Sequence, residues 1–259
     1  MIGELPRYLG DFHDLRVLSV SYNNLHGGIP LWISNLTKLQ VLDLSNNRFS
    51  GRIPPNLNRL QGFSINGSSK LSLDTLYVLL MIDVKGSEYT LPYLLSTNTI
   101  FDLSTNMLIG DIPTTIGSLS SLRLLNLSGN QLEGRIPTSL SEISTLEQLD
   151  LTKNNLSGGI PPELSKLSTL VFLNISSNNL CGPIPKGTQF TTWNESSFQK
   201  NKCLCGYPLQ TCNQNKGLGE DDDNSNISNI KVGWLSHLNE SISLKALGMG
   251  IALEELLLC

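Results

Sequence analysis

Apolar residues recur along the chain in one short pattern. LRVLSVSYNNLHGGIPLWISNLTK starts at Leu15 and LQVLDLSNNRFSGRIPPNLNRLQG at Leu39. NTIFDLSTNMLIGDIPTTIGSLSS starts at Asn98, LRLLNLSGNQLEGRIPTSLSEIST at Leu122, LEQLDLTKNNLSGGIPPELSKLST at Leu146 and LVFLNISSNNLCGPIP at Leu170. The rows align on a 24-residue period, and the opening GELPRYLGDFHD is the tail of a further unit in phase. The alternation LxxLxL predicts a short strand with two leucines pointing inward. Strands of successive units then stack in parallel into one sheet. The closing xxLxxLxx suits one or two turns of helix on the opposite side. No unit buries its leucines alone, so stability comes from stacking on neighbours.

Certain polar and special residues hold fixed phases. The ninth position is Asn23, Asn47, Asn106, Asn130, Asn154 and Asn178. It falls where the chain turns inward, and a carboxamide there both donates to and accepts from the turn's backbone, giving a ladder. The thirteenth position is Gly27, Gly51, Gly110, Gly134, Gly158 and Gly182, which suits a positive φ. Seven of the 12 prolines share one phase: Pro6, Pro30, Pro54, Pro113, Pro137, Pro161 and Pro185. The Ile-Pro step they form is fixed and extended, a poor place for a helix.

The pattern LxxLxLxxNxLxGxIPxxLxxLxx resembles the plant-specific leucine-rich repeat, over residues 1–62 and 98–185. The resemblance implies an α/β fold, a right-handed leucine-rich-repeat solenoid. Its parallel β-sheet would line the concave face and short 3-10 or helical turns the convex face. Residues 63–97 break the period. A structureless loop of that length is uncommon in a compact domain and is often functional. Its apolar TLYVLLMIDV followed by KGSEYTLPYLL suggests strands that fold back on the solenoid. An insertion four repeats before the end resembles the island of plant receptor-like proteins, with Tyr77, Lys85, Gly86 and Tyr89 as contact candidates. Residues 186–212 resemble the C-terminal cap of the same receptors, in which Cys205 and Cys212 match the closing disulfide. A second bridge, Cys181–Cys203, is expected beside it, the alternative being two free buried thiols. Cys259 has no evident partner.

The remaining segments bear on anchoring. Residues 213–235 are acidic and polar and read as a disordered juxtamembrane linker. Residues 236–259 begin like a Gly-rich span but break off in ALEELLLC, short of the roughly 20 apolar residues a crossing helix needs. The opening MIGELPRYLG carries no secretory leader. The chain therefore reads as the C-terminal part of a longer ectodomain, anchored by a single pass only in the full-length parent. A non-functional fragment is a further reading.

Composition sharpens this picture. The chain has 259 residues, of which 49 are Leu and 25 Asn, with 6% aromatic and 15% charged. That excess is the composition of the repeat itself. A net charge of -4 argues against nucleic acid, whose phosphates need a basic surface. Five cysteines are too few for a disulfide-built fold. The three histidines, His13, His26 and His237, show no metal-ligand spacing, and no nucleophile elbow, phosphate loop or kinase motif occurs. No cofactor and no enzyme activity are expected. Asp43, Asp102 and Asp150 share one concave phase and read as a solvated sheet face rather than a catalytic array.

Eight Asn-x-Ser/Thr sequons, Asn35, Asn66, Asn126, Asn155, Asn174, Asn194, Asn226 and Asn239, favour a secretory history. Asn126 and Asn174 are expected to project from the concave sheet, where glycans would interrupt a continuous groove. Few outward concave positions are aromatic or Arg, the residues that dominate hot spots. Gln148, Asp150, Phe172 and Asn174 are the best candidates for a partner face. The resemblance implies a plasma-membrane receptor-like protein without a kinase, exposed outside the cell. It would take a protein or peptide ligand, pair with co-receptor and adaptor receptor kinases, and act in defence or development signalling. Two rivals are a secreted leucine-rich-repeat inhibitor of a microbial wall-degrading enzyme and the ectodomain of a receptor kinase.

Overall fold

A computed structural model of the chain describes residues 1–64, 77–84, 87–94, 99–187 and 190–212. The strands in chain order are β1 (Ile2–Gly3), β2 (Val17–Ser19), β3 (Asn24–Gly28), β4 (Val41–Asp43), β5 (Arg48–Gly51), β6 (Tyr77–Val84), β7 (Ser87–Leu94) and β8 (Ile100–Asp102). They continue as β9 (Met107–Asp111), β10 (Leu124–Asn126), β11 (Gln131–Glu133), β12 (Gln148–Asp150), β13 (Ser157–Gly158), β14 (Phe172–Asn174), β15 (Asn178–Pro183) and β16 (Asn201–Cys205).

The LxxLxL strands form the expected parallel sheet, in the order β14-β12-β10-β8-β4-β2. Five-residue 3-10 turns, Leu31–Asn35, Thr114–Ser118, Thr138–Glu142 and Pro162–Lys166, lie after the phase-locked prolines. Each begins just past a proline whose φ is pre-set and whose missing N–H costs nothing there. Threonines stitch the same side: Thr145 Oγ1 donates to the carbonyls of Ser120 and Leu122, and Thr169 Oγ1 to those of Ser144 and Leu146.

A second parallel sheet, β1-β3-β5-β9-β11, runs through the NxLxG segments, which the sequence presents only as turns. Between the two sheets the asparagine ladder forms as expected. Asn154 Oδ1 accepts from Leu132 N at 3.0 Å, and its Nδ2 reaches the carbonyls of Leu127, Leu151 and Thr152. Asn47, Asn106, Asn130 and Asn178 repeat this set, each bonding backbone of its own and the preceding repeat. Asn23, at the first rung, keeps the carbonyls of Val20 and Ser21.

The phase-thirteen glycines take φ from 76° to 99°. A second left-handed row was not legible. Tyr22, Asn46, Thr105, Lys153, Ser177 and Lys200 stand at φ between 52° and 57°, each just ahead of a ladder asparagine, and Gly129 at 65° holds that place before Asn130.

The core is one continuous cluster of Leu, Ile and Phe running from Leu5 to Leu204. It bridges the break in the period in a specific way. Phe63 is fully buried and occupies the first Leu position of the repeat that Thr99 then resumes, with Ser121 N donating to its carbonyl. The insertion thus interrupts a repeat between its first and second positions. Its described part is an antiparallel hairpin, β6 against β7, with Ile82 opposite Tyr89 and Tyr77 opposite Leu94.

At the other end the cap copies a repeat. Phe198-Gln199-Lys200-Asn201 matches Leu151-Thr152-Lys153-Asn154, and Asn201 adds a seventh rung, accepting from Leu180 N and donating to the carbonyls of Ile175 and Phe198. Phe190, Trp193 and Phe198 close the last leucine layer. Both expected disulfides, Cys181–Cys203 and Cys205–Cys212, are present. The first ties β16 to β15, and the second closes the loop that follows β16. No described helix is long and apolar enough to cross a membrane.

Candidate functional site

Five of the six concave strands, all but β2, end in the same local device. The side-chain oxygen at the strand's last residue accepts from the N–H two residues on, an Asx turn. The pairs are Asp43 with Ser45, Asp102 with Ser104, Asn126 with Ser128, Asp150 with Thr152 and Asn174 with Ser176, at 2.8–3.2 Å. Hydroxyls of Ser45, Ser128 and Thr152 add a second bond. The sequons at Asn126 and Asn174 are therefore variants of the Asp-x-Ser turn that closes this fold's strands, and their presence follows from the repeat.

Two expectations about this face need correction. Asp43 and Asp102 are not solvated, each being 3% exposed, and Asn126 does not project, being 5% exposed and hydrogen-bonded to Asp102 and Ser128. Burial is graded across the sheet. The outward residues of β4, β8 and β10 (Val41, Ile100 and Leu124 among them) are covered, whereas those of β2, β12 and β14 are half-buried or exposed. Desolvation, and next the neighbouring Asp43 carboxylate, push the Asp102 carboxyl up to about 7 against hydrogen bonds from Ser104 and Asn126. Asp150 stays partly accessible at the edge of this patch.

The partner-face candidates do come together. Gln148 is the register partner of Phe172, and Asp150 of Asn174. Three of them, Asp150, Phe172 and Asn174, line a groove of about 630 Å³ between the last concave strands and the cap. The cap contributes Trp193, Asn194, Gln199 and Lys200, and the left-handed row adds Thr105, Lys153 and Ser177. Lys153 and Lys200 were missed by sequence reasoning. The matching LTKN and FQKN strings, read as the same phase, carry the signal that places both on one rim. The groove thus offers an apolar floor at Phe172, a carboxylate at Asp150 and two cations above.

The other candidates are scattered. Tyr77 and Tyr89 lie on opposite strands of the hairpin, and Lys85 and Gly86 fall outside the described residues. Of the sequons, Asn155 and Asn194 are exposed, and Asn35 and Asn174 half-buried, while Asn66, Asn226 and Asn239 lie outside the described residues. Cys259 also lies outside them. Among the described residues no group of three or more His, Cys, Asp or Glu is placed to hold a metal.

The family described as Leucine Rich repeats (2 copies) matches residues 13–58, and Leucine Rich Repeat matches residues 121–143, 145–167 and 169–190. The chain is a leucine-rich-repeat solenoid, similar in fold to plant receptor ectodomains. Among solved structures it is similar to the ectodomain of the Arabidopsis thaliana membrane receptor kinase GASSHO1/SCHENGEN3 in complex with CASPARIAN STRIP INTEGRITY FACTOR 2. That match has 30% identity and a TM-score of 0.59, covering 82% of this chain and 24% of that one. The Arabidopsis receptor kinase HAESA ectdomain, with an N-terminally extended IDA peptide hormone, matches at 29% identity and TM-score 0.62, covering 82% and 30%. HAESA with IDA and the co-receptor SERK1 matches at 30% identity and TM-score 0.51, covering 79% and 32%. The leucine-rich-repeat chain thus spans a third or less of these relatives' length. Among curated proteins none matches the sequence.

Proposed function

We propose that the chain is the ligand- and partner-binding part of a non-enzymatic receptor-like protein on the extracellular side of the plant plasma membrane. It takes a peptide or protein ligand and pairs with co-receptor and adaptor receptor kinases in defence or development signalling. The observation that carries this reading is the groove where Asp150, Phe172 and Asn174 meet the cap. An aromatic anchor with polar and charged groups around it matches the apolar centre and polar rim of protein interfaces. The similar HAESA structures hold a peptide hormone and, in one case, a co-receptor.

Calorimetric titration of the chain with a SERK1 ectodomain, with and without added peptide, tests the assignment. Phe172→Ala and Gln148→Ala are each expected to weaken binding about tenfold or more, and Lys200→Glu to weaken it further at low salt. Equal affinity in all three variants, or no binding by the unmodified chain, removes the reading.

A further inference from the structure

Two hydrogen bonds link neighbouring strand-ending residues on one side of the concave sheet, and the pair between them has none. Ser19 Oγ donates to Asp43 Oδ2 at 3.0 Å, and Asn126 Nδ2 donates to Asp102 Oδ2 at 3.3 Å. Between them Asp43 and Asp102 are register partners on adjacent strands, which run about 4.8 Å apart. Each offers only acceptors when ionised. Both are buried, and a pair of like charges this close and this dry does not stay doubly ionised.

No cation relieves the pair among the described residues. From β2 it is faced by Ser19, from β10 by Asn126, and Asp150 stands one strand further on. None of these carries positive charge. The position of the pair is also particular. It sits on the two strands that flank the break in the repeat, and among the described residues these are the only neighbouring strands that both end in Asp.

We propose that Asp43 and Asp102 share a single proton, so that the buried patch over β4 and β8 is a pH-responsive surface. With one proton bound, the Asp102 carboxyl donates to the Asp43 carboxylate and completes the row from Ser19 to Asn126. Loss of that proton to solvent leaves two facing carboxylates, which draw water in and open the patch. The direction of the effect follows from the position of Asp102. Its folded carboxyl titrates near 7 against an ordinary value of 3.8. The proton is therefore held more tightly in the folded state. This carboxyl's contribution to stability is fully present below about 4, falls as pH rises, and is lost as pH passes about 7.

The test compares the full chain with Asp102→Asn, Asp43→Asn and Asp150→Asn. Asn is native at the same phase in Asn126 and Asn174, so the substitution places a side chain the turn already accepts. Unfolding midpoints are read from pH 4 to 8, with hydrogen-exchange protection of residues 39–47 and 99–107 corrected for intrinsic rates. The unmodified chain is expected to lose midpoint between pH 4 and 7, and about tenfold or more in protection at those segments between pH 5 and 8. Asp102→Asn and Asp43→Asn are expected to be nearly flat, and Asp150→Asn to behave as the unmodified chain. Should one of the first two fail to fold, the other carries the comparison. A flat unmodified chain, or pair variants that both keep the slope of the unmodified chain, overturns the proposal.

Discussion

Phe63 and Phe101 meet edge to face, with ring centroids 6.0 Å apart, from opposite sides of the insertion. Both are buried to 1% exposure or less. The contact rejoins a repeat that the sequence splits, since Phe63 supplies its first core position and the chain from Thr99 supplies the rest. Phe63→Ala is expected to lower unfolding free energy by about 3–5 kcal/mol, because the transfer and cavity terms add at a fully packed site. Urea denaturation followed by circular dichroism checks this. A cost below about 1 kcal/mol would show that the two halves do not depend on the joint.

The glycines separate into two kinds. A Cβ at Gly117 would stand 2.5 Å from the Ser139 carbonyl oxygen, a backbone atom that moves only with its repeat. At Gly51 nothing lies within 4 Å, and only the φ of 76° resists a side chain. Gly117→Ala is expected to cost about 3 kcal/mol through overpacking, and Gly51→Ala about 1 kcal/mol through left-handed strain. Paired denaturation curves give both values, and the reverse order would contradict this account.

Asn154 and Asn23 hold the same phase at different depths. Asn154 is 6% exposed and satisfies four backbone groups, one N–H and three carbonyls. Asn154→Ala leaves those groups buried without the partner and is expected to cost about 3 kcal/mol. At Asn23, half-buried at the first rung, water replaces the carboxamide and the cost is expected below about 1 kcal/mol. Thermal midpoints of the two variants check the gradient.

Sequons differ in access. Asn194 and Asn155 are exposed, whereas the Asn126 amide nitrogen, the atom a glycan would take, lies within the buried row beside Asp102. Chain made in a plant secretory pathway is expected to carry glycan at Asn155 and Asn194 and none at Asn126. Glycopeptide mass spectrometry reads this directly. Substantial occupancy of Asn126 in folded chain would refute its placement.

The repeat itself is written in the primary structure. The 24-residue period, the inward leucines, the ladder asparagines and the phase-thirteen glycines are each set by short-range geometry. A strand alternates, a turn needs a partner, and a left-handed φ needs Gly, so local residue identity suffices. The cap's seventh rung was also readable in FQKN, although the eye passes over it because Phe198 stands where Leu is usual.

Other features had no local signal. Burial of Asp43, Asp102 and Asn126 depends on what covers the sheet, and an outward strand position carries the same pattern whether wet or dry. The second sheet arises because stacking brings NxLxG segments into hydrogen-bonding distance, which no single unit reveals. The groove joins Lys153 to Lys200 and Trp193 across repeats that are 40 or more residues apart. Sequence alone determined the solenoid and the phase of every residue in it, because the period repeats one local solution. Only the tertiary structure decided which of those equivalent phases are dry, charged or open, because neighbours and ends differ where the repeats do not.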